Sequence, residues 1–369
     1  MKVTNGYHLW SERFDRQMEG IFEIQDEIAL AVVEALKVTL LGAEKAAVVK
    51  RSTDNPEAYQ LCLKARHAWY RWTDEGFGTA EQLFQRALEL DPDYALAHFG
   101  LADSHTAWSF IGRQRADPRF ARTRLETALR LDPTLAAAHG ALAVVEGFLE
   151  FNWVSAERRC RHAIEIDPRN AHLYAAYGEV LQALGRHDES LAAYRRSIEL
   201  DPLNPFWNAL FAMGLLGTRD FEAALRQGEA TLDLAPDYWL AHVYRGAAFQ
   251  ATGHLDEAIR SFERAVTTSG GVPYVVGLLG HVLAVSGRRD DALAQLARLE
   301  ERSKTSYVSA VAFAHVHAGL NEVDEAFGCL DRAVRECDVW IAFTLAFMPA
   351  LEQLRPDPRF AELRRRIGL

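Results

Sequence analysis

The amino-acid sequence predicts an all-α fold, a solenoid of about eight helix-turn-helix pairs. Five segments share one ending, LELDP, LRLDP, IEIDP, IELDP and LDLAP, and close at Pro92, Pro133, Pro168, Pro202 and Pro236. The last three prolines lie 34 residues apart, and further steps of 34 reach Gly270, Lys304 and Asp338. Because 369 residues exceed one ordinary compact core, this period favours a stacked array.

Small residues recur at two phases of this period, where paired helices must approach closely. Counting 24 residues back from the repeat ends gives Ala68, Gly178, Ala212, Gly246, Gly280 and Ala314. Counting 12 back gives Ala80, Ser190, Ala224, Ala258, Ala292 and Ala326. Large residues at a third phase are predicted to fill the gap between helices: Phe84, Tyr194, Phe262, Leu296 and Leu330.

Glycines separate the two helices of a pair in several repeats. We expect them to adopt the left-handed conformation that ends a helix, which glycine takes without steric cost. These turn glycines are Gly185, Gly217, Gly253, Gly287 and Gly319.

The period and these phases together resemble the tetratricopeptide repeat family, from about Pro56 to Asp338 (56–338). The resemblance implies a right-handed superhelix whose first helices line a concave surface. Three repeats depart from the family pattern, with His98, His139 and His242 in place of the usual aromatic residue. We interpret them as stand-ins that each contribute a flat ring and one hydrogen bond.

The flanking segments are predicted to be separate elements. Residues 21–55 carry apolar side chains at helical spacing, from Ile21 to Leu40, and are predicted to form an amphipathic helix. That helix either caps the first repeat or mediates a homodimer through residues 21–50. Residues 339–369 are predicted to form C-terminal capping helices, because Asp357 and Pro358 are typical of a helix start.

The chain ends support a second resemblance. The segment GYHLWSERFDR at 6–16, followed by IFEIQDEIA at 21–29, resembles bacterial multidomain signalling proteins, among them class III adenylate cyclases, winged-helix regulators and signalling kinases. The closing segment, PDPRFAELRRRIGL, resembles their C-terminus. Residues 1–20 are then a remnant of an upstream α/β domain or an extended tail. The chain is either a fragment or a stand-alone relative, so the activity of an upstream domain is not transferred to it.

Composition restricts the partner class. The formal net charge of −10 disfavours nucleic acid and anionic membranes, which select clustered positive charge. Neither a disulfide framework nor a zinc site is indicated by the four cysteines, which favours a cytoplasmic protein. The apolar runs are shorter than the ~20 residues of a spanning helix.

The sequence contains no recognisable catalytic or phosphate-binding motif, so no enzyme activity and no cofactor are predicted. His315 and His317 point in different directions on a helix and are expected to pack rather than to bind a metal. Cys329 and Cys337 are expected to be free thiols.

The family resemblance predicts a ligand groove along the first helices. The residues at groove-facing phases are mainly aromatic and aliphatic: Trp69, Trp72, Phe99, Asp103, His172, Glu179, Phe206, Met213, Leu240, Gln250, Tyr274, His281, Val308 and His315. Relatives that clamp a C-terminal carboxylate carry Lys, Arg and Asn there, so a chaperone-tail receptor is disfavoured. Each residue can equally belong to the core between repeats.

The predicted function is therefore a protein-interaction scaffold in bacterial signalling, which binds a peptide or partner domain through buried aromatic side chains. Two alternatives stay open. The chain can be the regulatory part of a multidomain enzyme such as an adenylate cyclase, or a structural homo-oligomer.

Overall fold

A computed structural model describes residues 52–369. The predictions for residues 1–20, for the helix within 21–55 up to residue 51, and for a homodimer through 21–50 lie outside the described residues. The described part is helical throughout and contains no strand.

Sixteen helices form eight consecutive pairs between Pro56 and Arg335. The pairs are α1 (Pro56–Trp69) and α2 (Asp74–Leu90), α3 (Ala95–Phe110) and α4 (Pro118–Leu131), α5 (Ala136–Val144) and α6 (Trp153–Ile166), α7 (Ala171–Ala183) and α8 (His187–Leu200), α9 (Pro205–Gly217) and α10 (Phe221–Leu234), α11 (Trp239–Ala251) and α12 (Leu255–Thr268), α13 (Pro273–Val285) and α14 (Arg289–Ser303), and α15 (Ala310–Gly319) and α16 (Val323–Arg335). After them come α17 (Ile341–Phe347), a 3₁₀ turn (Pro349–Leu354) and α18 (Pro358–Arg366).

Local sequence signals fix several helix starts. Asn55 caps α1, since its side chain accepts a hydrogen bond from the Ala58 N–H at 3.0 Å, and Pro56 occupies the first turn. Asp117 caps α4 and Asp357 caps α18, each followed by proline. Both repetitions of the sequence DPRF therefore begin a helix in the same way.

The small residues lie where the large ones of the same or a neighbouring pair enter. A Cβ on Gly178 would lie 2.6 Å from the Tyr194 ring, and a Cβ on Gly246 would lie 2.8 Å from the Phe262 ring. Because real Cβ atoms do not approach this closely, these positions accept only glycine unless the ring moves. The predicted pairing of small and large phases is confirmed at these two helix contacts.

Two of the predicted turn glycines have a different role. Gly185, Gly253 and Gly287 have positive φ, but Gly217 and Gly319 end helices, and the left-handed residues in their turns are Arg219 and Asn321. A Cβ on Gly319 would lie 2.7 Å from the His281 carbonyl oxygen. Gly319 is thus small because two helices touch there, so the prediction of a left-handed turn at Gly217 and Gly319 is wrong.

The repeat that closes at Pro168 is one residue longer than 34, and the matching irregularity follows α5. Residues Val145–Leu149, directly after α5, form a π-helical turn. A π turn accommodates one inserted residue without ending the helix. The extra residue therefore lengthens the helix locally and leaves the stacking of pairs intact.

The array curves until its beginning approaches its end. The loop at Gly112 lies against Pro273, because a Cβ on Gly112 would lie 2.7 Å from that proline ring. The Trp153 indole N–H donates to the Ile367 carbonyl oxygen at 2.6 Å. These contacts join parts of the chain more than 150 residues apart and enclose the concave side.

Candidate functional site

The C-terminal segment, defined as residues 339–354, lies on the concave side of the array. Helix α17 packs against α7 and α9, and the 3₁₀ turn packs against α11, α13 and α15. All five are first helices of their pairs. The segment therefore covers much of the surface predicted to be the ligand groove.

Aromatic contacts and buried polar groups hold this segment in place. The Trp340 ring stacks on Tyr274 with centroids 3.9 Å apart, and its indole N–H donates to the Phe110 carbonyl oxygen at 3.1 Å. Asp338 fixes the start of the segment, because its carboxylate accepts hydrogen bonds from Ser309 Oγ at 2.6 Å and from the Trp340 N–H at 3.1 Å.

Between the C-terminal segment and the first pairs remains a cavity of about 70 Å³, here called the inner cavity. It is bounded by the first helices of pairs one to six and by two aromatic residues of the C-terminal segment. Its lining residues are Trp69, Trp72, Asp103, Thr106, Ala107, Phe110, Val144, His172, Ala175, Glu179, Phe206, Trp207, Leu210, Met213, Leu240, Tyr244, Trp340 and Phe343.

Five of these rings form a closed series of contacts across the concave side. Trp69 is 5.6 Å from Trp72, Trp72 is 4.5 Å from Phe206, and Phe206 is 5.0 Å from Trp207, measured between ring centroids. The series closes through His172, which is 5.3 Å from Trp207 and 6.2 Å from Trp69. Pair one therefore meets pairs four and five directly.

Trp72 reaches this position through an uncommon backbone conformation. It lies in the turn between α1 and α2 with φ of 50°, two residues before the second helix begins. Gly185, Gly253 and Gly287 occupy the same place in their repeats. For a bulky side chain this conformation costs roughly 1–2 kcal/mol, so the backbone is strained where the ring enters the cavity.

Two carboxylic acids reach the inner cavity, Asp103 from α3 and Glu179 from α7. Each is half-buried, and neither has a hydrogen-bond or ion-pair partner within residues 52–369. Burial raises the pKa of Asp103 to about 7 and the pKa of Glu179 to about 8. No lysine or arginine lines the inner cavity within the described chain to oppose this shift.

His172 faces the same space as a neutral ring. Burial lowers its pKa to about 4, with a smaller contribution from the positive charge of Arg66. The histidine therefore supplies an aromatic, uncharged wall at neutral pH and does not balance the two acids.

A second, larger cavity adjoins the first and is here called the outer cavity. Its volume is about 450 Å³, and it shares Trp69, Asp103 and His172 with the inner cavity. It adds Phe99 of α3 and the polar residues Arg66 and Asn170. The two cavities thus share three lining residues, and the outer one is larger.

The structure brings together many of the predicted groove residues. The residues that line the inner cavity are Trp69, Trp72, Asp103, His172, Glu179, Phe206, Met213 and Leu240, and Phe99 lines the outer one. Tyr274, His281, Val308 and His315 are instead buried among the later pairs and the C-terminal segment. Gln250 is half-buried and lines neither cavity.

Several residues that line the inner cavity were not predicted from the sequence. Helical periodicity could have indicated some of them, whereas others have no local pattern. Phe110, Leu210 and Tyr244 follow Asp103, Phe206 and Leu240 at spacings of seven or four residues, so they share a helix face with a predicted residue. Extending the groove by helical periodicity would have found them. Trp340 and Phe343 had no such signal, because only the path of the C-terminal segment brings them there.

The remaining candidate groups have structural roles. The Nε2 atoms of His98, His139 and His242 lie 2.9, 3.1 and 3.3 Å from the carbonyl oxygens of Pro92, Pro133 and Pro236, which confirms the predicted hydrogen bond. All four cysteines are free. Among residues 52–369, no three His, Cys, Asp or Glu side chains lie close enough to hold a metal ion.

Comparison with protein families finds tetratricopeptide repeats at residues 66–107 and 210–273 with one model and at 160–192 with another. Within the described residues no helix is long and apolar enough to cross a bilayer.

Curated relatives match parts of the chain. A Rhizobium meliloti (strain 1021) protein that carries the name adenylate cyclase 3 is 39% identical over 99 residues, which are 27% of this chain and 17% of that protein. The type IV pilus assembly protein PilF of Pseudomonas aeruginosa is 37% identical over 100 residues, 27% of this chain and 38% of PilF. The chain thus spans well under half of either relative.

Solved structures share the fold at low identity. Human IFIT1 superposes with a TM-score of 0.60 over 95% of this chain and 77% of IFIT1, at 13% identity. Yeast Tom70 gives a TM-score of 0.51 over 84% of this chain and 68% of Tom70, at 17% identity. With the paired helices, these likenesses show that the chain is an all-α helical-repeat solenoid, and residues 66–107, 160–192 and 210–273 match tetratricopeptide repeats.

Proposed function

We propose that this chain is a non-catalytic scaffold that binds a segment of a partner protein in the inner and outer cavities. The observation that carries the proposal is the inner cavity itself, a concave space walled by large aromatic side chains with few polar groups. Buried aromatic residues around such a space are the usual source of binding energy in peptide recognition.

The side chain of Trp72 supports the same proposal. Its positive φ is not special, because Phe151, Arg219 and Asn321 adopt the same conformation two residues before their second helices. What distinguishes Trp72 is that its ring lines the inner cavity. Tryptophan also provides a large contact area with little side-chain entropy to lose.

The C-terminal segment narrows the proposed site. It covers the concave faces of α11, α13 and α15, so Tyr274, His281, Val308 and His315 are not proposed as ligand contacts. The partner is instead proposed to bind against pairs one to six, whose first helices line the inner cavity. We propose cytoplasmic bacterial signalling as the setting, because of the resemblance at the chain ends and the match to a relative named as a cyclase.

A second candidate function rests on that same relative. The matched region is 17% of a protein named for nucleotide cyclisation, so this chain can be the regulatory part of a longer enzyme. Reading the genomic DNA upstream of Met1 for an in-frame cyclase, kinase or winged-helix domain tests this candidate. Its absence from that DNA would contradict it.

The first proposal is tested by selecting random phage-displayed peptides against the full chain. Ala107 lines the inner cavity and is buried, so Ala107→Phe should block the cavity. Ala230 is exposed on α10, and Ala230→Phe is the matched control.

Selected peptides should bind the natural chain and Ala230→Phe equally and should lose about tenfold or more in affinity for Ala107→Phe. Circular dichroism must show that both variants are folded. Failure to enrich any peptide, or equal binding to Ala107→Phe, would contradict the proposed site.

A further inference from the structure

The inner cavity contains two half-buried carboxyl groups. Neither Asp103 nor Glu179 has a cationic or hydrogen-bonding partner in residues 52–369. The more deeply buried carboxylate Glu146, by contrast, is paired with Arg159 at 2.8 Å. A group that enters the inner cavity therefore meets two carboxyl groups that can accept a partner.

Partial burial of unpaired acids has a cost that a ligand can offset. An ionised carboxylate loses part of its hydration when it is partly buried, and an opposite charge or hydrogen-bond donors compensate for that loss. Burial raises the pKa of both groups toward neutrality, because it disfavours their ionised forms. A bound cation beside either group would favour the ionised form of that group.

The aromatic walls suit the same ligand. Trp69, Trp72 and Trp207 line the cavity, and a cation within about 6 Å of an aromatic ring centre is attracted to the ring face. Tryptophan gives the strongest attraction of this kind. Aromatic rings and carboxylates together favour positive charge over an anion.

The size of the site suits a slender aliphatic cation. A volume of about 70 Å³ corresponds to about five water-sized groups, comparable to the four methylenes and the ammonium of a lysine side chain. The outer cavity, which shares Asp103, is large enough to take the remainder of a ligand. Arg66 lines that outer part and would repel a second cation, so the preference for positive charge is confined to the inner end.

We propose that the inner cavity is a subsite for an alkylammonium group, carried by a lysine side chain of the partner segment. The inference rests on the proposed function and adds the chemical class of the partner's anchor. The same group also occurs on free amines, and the experiment separates the two sources.

Isothermal titration of the full chain uses three probes. They are Nα-acetyl-lysine N-methylamide, its norleucine counterpart, which is nearly isosteric but uncharged, and butylammonium. The lysine probe should bind about tenfold more tightly than the norleucine probe, as expected for charge-assisted contacts. Equal binding of the lysine and norleucine probes would overturn the proposal.

Variants assign the charge recognition to the two acids. The change Asp103→Asn with Glu179→Gln should reduce the affinity for lysine about tenfold and leave norleucine binding unchanged. Asp233→Asn with Glu229→Gln removes the same charge from exposed positions on α10 and should change neither. A folded double variant at the cavity that keeps the lysine preference would overturn the assignment.

Butylammonium distinguishes the sources. Weaker binding than the lysine probe supports a peptide anchor, whereas equal binding identifies a free amine as the ligand and overturns the peptide part. If selected peptides lose affinity for Ala107→Phe but need no basic residue to bind, the proposed function stands and only the lysine subsite is refuted.

Discussion

At the scale of single residues, one hydrogen bond recurs along the array. In five repeats the side chain six residues after the closing proline contacts that proline's carbonyl oxygen: His98, His139, Tyr174, Asn208 and His242. A carbonyl oxygen only accepts, so each histidine must carry its proton on Nε2. Three residue types thus perform one task, to satisfy the carbonyl group at the turn between repeats.

Replacing His98 by Phe should keep the ring and remove the donor. We expect the free energy of unfolding to fall by about 1 kcal/mol, the usual effect of one lost hydrogen bond at a partly buried site. His67→Phe, at an exposed position on α1, is the control and should have little effect. Urea denaturation measures the stability of both variants. Equal stability would show that the hydrogen bond of His98 does not stabilise the fold.

Trp72 differs from these hydrogen-bonded residues, because its backbone conformation is strained and its ring lines the inner cavity. Trp72→Gly should relieve roughly 1–2 kcal/mol of backbone strain while it removes ring contacts of similar or larger size. We therefore expect a smaller loss of stability than for Trp69→Ala. Binding of a selected peptide should nevertheless weaken about tenfold. Unchanged peptide affinity in a folded Trp72→Gly variant would exclude Trp72 from the site.

At the scale of elements, the close approach of paired helices fixes the repeat phase. Gly246 on α11 faces the Phe262 ring of α12, and the contact leaves no room for a Cβ. Gly328 on α16 is also helical, but no atom beyond its own helix lies within 4 Å of its Cβ position. Substitutions at these two glycines therefore separate the effect of helix packing on stability from the effect of intrinsic helix propensity.

Gly246→Ala should destabilise the chain by about 1–3 kcal/mol through overpacking. Gly328→Ala should instead stabilise it by about 0.5–1 kcal/mol, because alanine favours a helix over glycine. Thermal denaturation of both variants gives the comparison. A stabilised Gly246→Ala variant would mean that the two helices lie further apart than described.

The packing of the C-terminal segment is a second test at the scale of elements. The Trp340 ring stacks on Tyr274, and its indole N–H donates a hydrogen bond to the carbonyl oxygen of Phe110, 230 residues away in sequence. We expect Trp340→Ala to cost about 3–5 kcal/mol, as for other buried aromatic residues, and Trp340→Phe about 1 kcal/mol. Chemical denaturation checks both values, and a Trp340→Ala variant as stable as the natural chain would place the segment outside the concave side.

At the scale of the whole molecule, closure of the array removes acids and histidines from much of the solvent. The two kinds of group change the stability with pH in opposite directions. Asp103 and Glu179 have raised pKa values, so their contribution to folding is present below about pH 4 and is lost as pH rises through about 7 to 8. Burial lowers the pKa of His172 and His281 to about 4, and their contribution is lost as pH falls below about 6.5.

Stability of the ligand-free chain should therefore fall from about pH 6 to about pH 9. The variant Asp103→Asn with Glu179→Gln should show a smaller decrease over that range, because neutral amides do not titrate. Denaturation at three pH values measures the slope. An unchanged slope would show that the two acids have ordinary pKa values.

The sequence predicts much of this molecule, and the limits have physical causes. Period and phase identify the helix pairs because short-range packing repeats every 34 residues. The assignments of Gly217 and Gly319 fail because close packing and left-handed turns both select glycine. Trp69, His172 and Phe206 follow from helical phase, whereas Trp340 and Phe343 depend on how far the array curves, which no local pattern encodes.

Hydrogen–deuterium exchange of the full chain with and without a selected peptide tests the central claim, that partners bind in the cavities. We predict slower amide exchange in the elements that line them: the end of α1 with its turn at Trp72, α3, α7 and α9. Second helices on the outer side, such as α10 and α12, should not change. Protection confined to those outer helices, with none around Trp72, Asp103 and Glu179, would contradict the account.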